Sequence, residues 1–295
     1  MSGAPGHPDA VAFCAELVRS HDFPRYAATL FVSPLQRRGL LALYAFNVEI
    51  ARVREAVSQP LPGEIRLQWW SDMLAGKAHG GVEGHPVATE LLAAIEHWEL
   101  PVAPLARLID EHQFDLYNDP MPTMAALEGY ANDTSSALLG LAARMLGPPS
   151  EAIDHLARHA GLALAFAQVI ASLPRDASRR QLFVPLQLLA SHGSGMEEVF
   201  AGRPTPAIRA ALVELIGEAE RHLATAMRLL AEVPPQVRPA FLPLAPIGRV
   251  LKRMSRPDAD PYQPHVRSRL STLWTLWRAS RSKIFKGSRS SQFAD

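Results

Sequence analysis

The sequence predicts an all-α protein, a single-domain bundle of roughly ten helices. Three observations carry this reading. Apolar residues recur at i, i+3, i+4 and i+7 in one segment after another. No stretch shows the period-2 alternation of a half-buried strand, and hairpin turn signals are scarce. The 25 prolines fall mostly between helical segments, with no Pro-rich tract.

Each element has its own signal. Asp9 precedes a helical stripe of Val11, Phe13, Cys14, Leu17 and Val18. Ser33-Pro34 is an N-cap followed by proline at the first helical position. Its pattern runs through Leu40, Leu41, Tyr44, Val48 and Ala51 to about Ala56. Residues 64–74, with Trp69 and Trp70, form the next helix. His85-Pro86 opens another, through Leu91, Leu92 and Ile95. Residues 102–116 follow. Two long helices are expected over 124–146 and 150–173, the first stopped by Gly147-Pro148-Pro149. Segments 205–231, 241–254 and 265–283 complete the bundle, separated by Pro234-Pro235 and the stretch 257–264. The domain is expected to span 1–283. A basic tail, 284–295, is expected to be disordered.

The chain has 295 residues, 48% of them apolar and 20% charged, which is ordinary for a globular protein. Its formal net charge of +1 argues against bulk nucleic-acid binding, and no nucleic-acid-binding motif is present. That value conceals an asymmetry. From Arg249 to Asp295 there are 11 Lys+Arg and 3 Asp+Glu, a net of +8, leaving −7 for the first 248 residues. The single cysteine, Cys14, excludes an intrachain disulfide and a multi-Cys metal site. Residues 1–9 carry no secretory pattern. The longest weakly polar run, 160–174, is too short to span a bilayer. The expected location is cytoplasmic, with peripheral contact at the inner membrane.

The helix from Leu41 to Glu55 contains Tyr44-Ala45-Phe46. Further on come Arg66-Leu67-Gln68-Trp69-Trp70, His85-Pro86-Val87, Leu108-Ile109-Asp110 with Asp115, Leu127-Glu128 with Tyr130, Gly161-Leu162-Ala163 and Phe183-Val184-Pro185. This ordered set, spread over about 23–281, resembles the squalene/phytoene synthases. These are head-to-head prenyltransferases with the isoprenoid synthase fold, so the resemblance implies a helical bundle around a central apolar cavity. It also implies paired carboxylates one helical turn apart on two helices, bridging Mg²⁺ ions that neutralise a departing diphosphate. The first such motif falls on Ala51, Arg52 and Glu55, and the second on Gln168 and Ser172. Glu55 alone among them is acidic. Mg²⁺ needs carboxylates beside the phosphates, so no metal, catalytic residue or cofactor is expected, and Mg²⁺ enters only if the chain is an active prenyltransferase. The string Ala45-Phe46-Asn47-Val48-Glu49 and the pair Arg179-Arg180 resemble a degenerate branch of the family that contains a mitochondrial complex I assembly factor. The resemblance therefore implies a non-catalytic protein with a complex I subunit or assembly factor as partner. An active prenyltransferase and a non-catalytic isoprenoid or lipid binder are the alternatives.

The vestigial cavity would be lined by Arg37, Arg38, Tyr44, Phe46, Asn47, Ala51, Arg52, Glu55, Gln168 and Ser172. Arg37 and Arg38 would face its diphosphate end, holding a phosphate without metal, or would be solvated helix surface. Arg175-Asp176 and Arg179-Arg180 add charge at the same mouth or cap a helix C-terminus. His155 and His159 share Zn²⁺-chelating spacing, with exposed helix surface as the plainer reading. Asp110, Glu111, His112 and Asp115 form either a cation site or a salt-bridged face. At the end of the chain, Val266, Leu270, Leu273, Trp277 and Ile284 make a stripe. Through Trp277 it is expected to pack on the core. Arg278, Arg281, Lys283, Lys286 and Arg289 are expected to meet an anionic membrane or an acidic partner.

Overall fold

Helix-forming sequence with strong caps gives a bundle assembled around one long central helix. The structure, a computed structural model, describes residues 8–77, 81–263 and 268–286. Its helices are α1 (Pro8–His21), α2 (Phe23–Ala28), α3 (Pro34–Ala51), α4 (Pro60–Leu74), α5 (Pro86–Trp98), α6 (Val102–Glu111), α7 (Met124–Ala131) and α8 (Ala137–Arg144). They continue as α9 (Glu151–Ser178), α10 (Leu186–Ser191), α11 (Met196–Phe200), α12 (Pro206–Leu229), α13 (Ile247–Met254), α14 (Arg269–Ser280) and α15 (Lys283–Lys286). Short 3₁₀ turns link several of them, and no strand occurs among the described residues.

The caps act as their chemistry dictates. Ser33 accepts from the Gln36 backbone N–H, and the Gln36 side chain reaches back to the Ser33 N–H, a capping box with Pro34 at the first position. Ser150 caps α9 through the Ile153 N–H, and Thr205 caps α12 through the Ile208 N–H.

Helix α9 is the axis of the molecule. Ile153, Leu156, Ala157, Ala160 and Ala163 belong to a core shared with α1, α3, α5, α6 and α8. Leu162, Phe166, Val169, Ile170 and Leu173 belong to a second core with α10, α12 and α13. This helix is long and apolar enough to cross a membrane by composition, but 61% of its apolar window is buried inside the bundle.

Several expected elements differ: the helix expected over 102–116 ends at Glu111 before a 3₁₀ turn, Phe114–Leu116, and the one expected over 241–254 begins at Ile247 after a 3₁₀ segment, Pro235–Leu244. The single helix over 124–146 is instead α7 and α8 joined by a π turn, Asn132–Ser136. There the backbone widens where α9 presses closest. A Cβ on Gly161 would lie 2.4 Å from the Ser136 Cα and N. Helix α9 does not stop at Leu173. It runs through Pro174, which removes one donor only, and side-chain contacts described below hold its last turn. Residues 284–286, assigned to the tail, form α15 with Lys283. Phe285 is buried, and the Arg238 guanidinium donates to the carbonyls of Ala231, Val233 and Ile284. The rest of that tail, 287–295, lies outside the described residues.

The glycine contact is testable. Gly161→Ala should cost about 1–3 kcal/mol by overpacking. Gly140→Ala, whose new methyl would sit 3.8 Å from Ala157, should be neutral or slightly stabilising. Urea denaturation midpoints distinguish the two.

Candidate functional site

The site forms where the C-terminal ends of α3 and α9 meet. Arg52 ends α3, and a 3₁₀ turn, Val53–Ala56, carries Glu55. The Glu55 carboxylate accepts from Arg52 Nε at 3.1 Å and from Arg179 Nη1 at 3.1 Å, with Arg175 Nη1 at 3.9 Å. Arg175 also donates to Asp176 at 3.0 Å, and the buried Ser172 hydroxyl donates to the same carboxylate. Three guanidiniums thus surround two carboxylates, leaving an excess of one positive charge in this group. Burial pushes the Glu55 carboxyl up, but the hydrogen bonds from Arg179 and Arg52 more than reverse this and hold it below the usual glutamate range.

A cleft of about 310 Å³ opens beside this joint, lined by Glu49, Arg52, Glu55, Arg66, Trp69 and His85. Its aromatic wall is rigid: Trp69, Trp70 and His85 pack against one another with ring centroids 5.1 Å apart.

The residues do not fit a Mg²⁺ cluster. Among the described residues, no group of three or more His, Cys, Asp or Glu side chains is placed to hold a metal. The Glu55 oxygens are engaged by guanidiniums, and Asp176 is taken by Ser172 and Arg175.

Not all the sequence-derived residues come together. Ala51 and Gln168 are exposed, Asn47 is half-buried and Ser172 is buried. Tyr44 and Phe46 are fully buried in the packed core, Phe46 edge-on to Trp70 at 5.2 Å. Burial raises the Tyr44 phenol. Arg37 and Arg38 do not face the mouth. They lie near the opposite end of α3, roughly 20 Å from Arg52 at about 1.5 Å per residue. There Arg38 grips the buried Glu90 through two hydrogen bonds of 2.7 and 2.9 Å, and Arg37 lies over the Tyr26 ring. His155 points outward beside Glu151, whereas His159 meets His222 of α12 with Nδ1 atoms 2.9 Å apart. Desolvation lowers the pKa of both His159 and His222, favouring one donor and one acceptor imidazole. Asp115 is no solvated carboxylate: it accepts from His112 at 2.6 Å and from the Tyr130 hydroxyl at 3.0 Å. Burial, then the Asp115 charge, drive the Tyr130 phenol well up. Arg278, Arg281, Lys283 and Lys286 are exposed, and Arg289 lies outside the described residues.

Asp176 as a partner of Ser172 was missed by sequence reasoning. Its signal was present, since Ser172 and Asp176 are i, i+4 on α9, but it lies beyond residue 173, where the helix was expected to end. His222 gave no signal, because it lies 63 residues from His159 in the chain.

A closed helical bundle with its opening at the ends of two paired helices is the architecture of the isoprenoid synthases. A dehydrosqualene synthase aligns with a TM-score of 0.75 at 14% identity, covering 92% of this chain and 96% of that one. Squalene synthase HpnC from Alicyclobacillus acidocaldarius aligns with a TM-score of 0.73 at 22% identity, covering 87% and 96%. The squalene/phytoene synthase family model matches residues 18–278, and the chain belongs to that family. Similar curated proteins include complex I assembly factor 6 of Rattus norvegicus, 31% identical over 92% of this chain and 82% of its own length. The human counterpart is 30% identical over 94% and 83%. Phytoene synthase of Thermus thermophilus is 27% identical over 69% and 68%.

The depressed Glu55 pKa has a signed consequence. Its contribution to stability is present above the usual glutamate range and is lost as pH falls through the lower, folded-state value. Glu55→Gln should therefore cost about 1 kcal/mol near neutrality and nothing at the acid end, read from urea midpoints across pH.

Proposed function

We propose that this chain is a non-catalytic squalene/phytoene synthase family member that acts in respiratory complex I assembly. One observation carries the non-catalytic part: guanidiniums of Arg52, Arg175 and Arg179 engage Glu55 at the helix ends where the family resemblance would place metal-bridging carboxylates. Stabilising the leaving group is usually the largest catalytic contribution in such sites. An acidic pair already neutralised by arginine cannot recruit a cation to supply it. The assembly role is supported by the similarity to complex I assembly factor 6 over most of both chains.

In this reading the joint gives the bundle a fixed, positively biased mouth in place of a metal-dependent one. A partner binding there would meet Arg52, Arg66 and the Trp69 wall without a metal requirement. The competing reading is an active prenyltransferase. Its specific support is Asp176, a carboxylate one turn beyond Ser172 on the same helix.

Two measurements separate these. Purified protein given farnesyl or geranylgeranyl diphosphate with Mg²⁺ should release diphosphate at the background rate; robust release restores the enzyme reading. Deleting the gene in its own host should lower assembled, active NADH dehydrogenase. Wild-type levels of assembled enzyme would remove the assembly role.

A further inference from the structure

Only part of the C-terminal stripe packs as its spacing suggests: Leu273 lies half-buried against the core, Leu270, Trp277 and Ile284 are exposed, and Val266 lies outside the described residues. Helix α14 buries Thr272, Thr275 and Leu276, and turns the opposite side outward. Leu270 is 77% exposed and Trp274 59%, while Trp277 is 38% exposed. These three stand at i, i+4 and i+7, so they share one face. Trp274 and Trp277 stack on each other with centroids 5.0 Å apart. The Arg281 guanidinium lies over Trp277 at 4.2 Å. Ile284 of α15 is also exposed. The reason the larger residues lie outside is that the inner side of α14 meets α2 and the 3₁₀ segment Pro235–Leu244 closely, and threonines fit there.

The surroundings of this face are cationic. Arg278, Arg281, Lys283 and Lys286 are exposed around it, and none forms a salt bridge among the described residues. The segment is also held in place from below: Phe285 is buried, and Arg238 fixes the Ile284 carbonyl. The surface is therefore preformed, and its orientation does not depend on folding at the moment of contact.

We propose that the outward α14–α15 face docks on an anionic phospholipid bilayer, with Trp274 and Trp277 at the headgroup boundary and Arg278, Lys283 and Lys286 meeting the lipid phosphates. Indole rings beside basic side chains suit that boundary because it offers an apolar layer next to negative headgroups. A protein partner with an acidic surface would satisfy the cations. It would cover the indoles and Leu270 only if it carried an apolar patch of its own beside its carboxylates, whereas a bilayer boundary offers both together. The proposal rests on this surface alone and stands apart from the complex I reading.

The test is co-sedimentation of the full chain with phosphatidylcholine vesicles, with and without about a third phosphatidylglycerol. Wild type should bind only the anionic vesicles, and binding should weaken as salt is raised. Trp274→Ser with Trp277→Ser should lower binding at least tenfold, with unchanged far-ultraviolet circular dichroism. Arg278→Gln with Lys283→Gln should lower it roughly fivefold per charge removed. Brominated lipid should quench wild-type tryptophan fluorescence and fail to do so in the Trp274/Trp277 variant. Absence of wild-type binding to anionic vesicles, or binding untouched by the tryptophan changes, overturns the proposal. So does crosslinking of this face to a protein while vesicles are ignored.

Discussion

Burial of most of α9 between two cores is the constraint on which the rest depends. A helix of 28 residues at the centre of a bundle can carry polar side chains only where they find partners. Along its first turns the inward positions are small or apolar, with Gly161 letting the π turn approach, while Glu151, Asp154, His155 and Arg158 face outward. At its C-terminal end Ser172, Arg175, Asp176 and Arg179 must all be satisfied together. They are satisfied by one another and by Glu55 from the end of α3. Removing Glu55 would leave Arg52 and Arg179 without the carboxylate that joins them, whereas loss of a single arginine leaves Glu55 with the others.

That joint also decides the character of the mouth. Carboxylates meeting across two helix ends would repel and call for a cation between them. Here arginines stand between, so the helices are tied by side chains alone. The geometry leaves Arg52 and Arg66, with Glu49 and Glu55, facing a cleft with an aromatic wall. The same economy appears at the other end of α3, where Arg38 neutralises Glu90 inside the packing with α5.

Much of the fold was legible locally. Ser33-Pro34, Ser150 and Thr205 mark helix starts because a side-chain oxygen can satisfy a free N–H within three residues. Gly147-Pro148-Pro149 marks a stop for equally local reasons. What escaped depended on distant neighbours. Arg179 and Glu55 are 124 residues apart in sequence, and nothing in either segment alone announces their meeting. Residue 173 is the expected end of α9, but the contacts of Ser172, Arg175 and Arg179 hold the turn beyond it. The stripe on α14 had the right period but packs only in part, because spacing says which residues share a side and not which side is covered. Tyr44 and Phe46 were recognisable as part of a family pattern, yet their side chains belong to the core and not to an open cavity.

The most direct measurement is a double-mutant cycle between Glu55 and Arg179, with Glu55→Gln, Arg179→Gln and the double variant compared by urea denaturation in the absence of divalent metal. A closed, metal-independent joint predicts a coupling of about 0.5–1.5 kcal/mol near neutral pH that disappears in acid. Strictly additive effects would contradict it, showing that the ends of α3 and α9 are not tied by this pair.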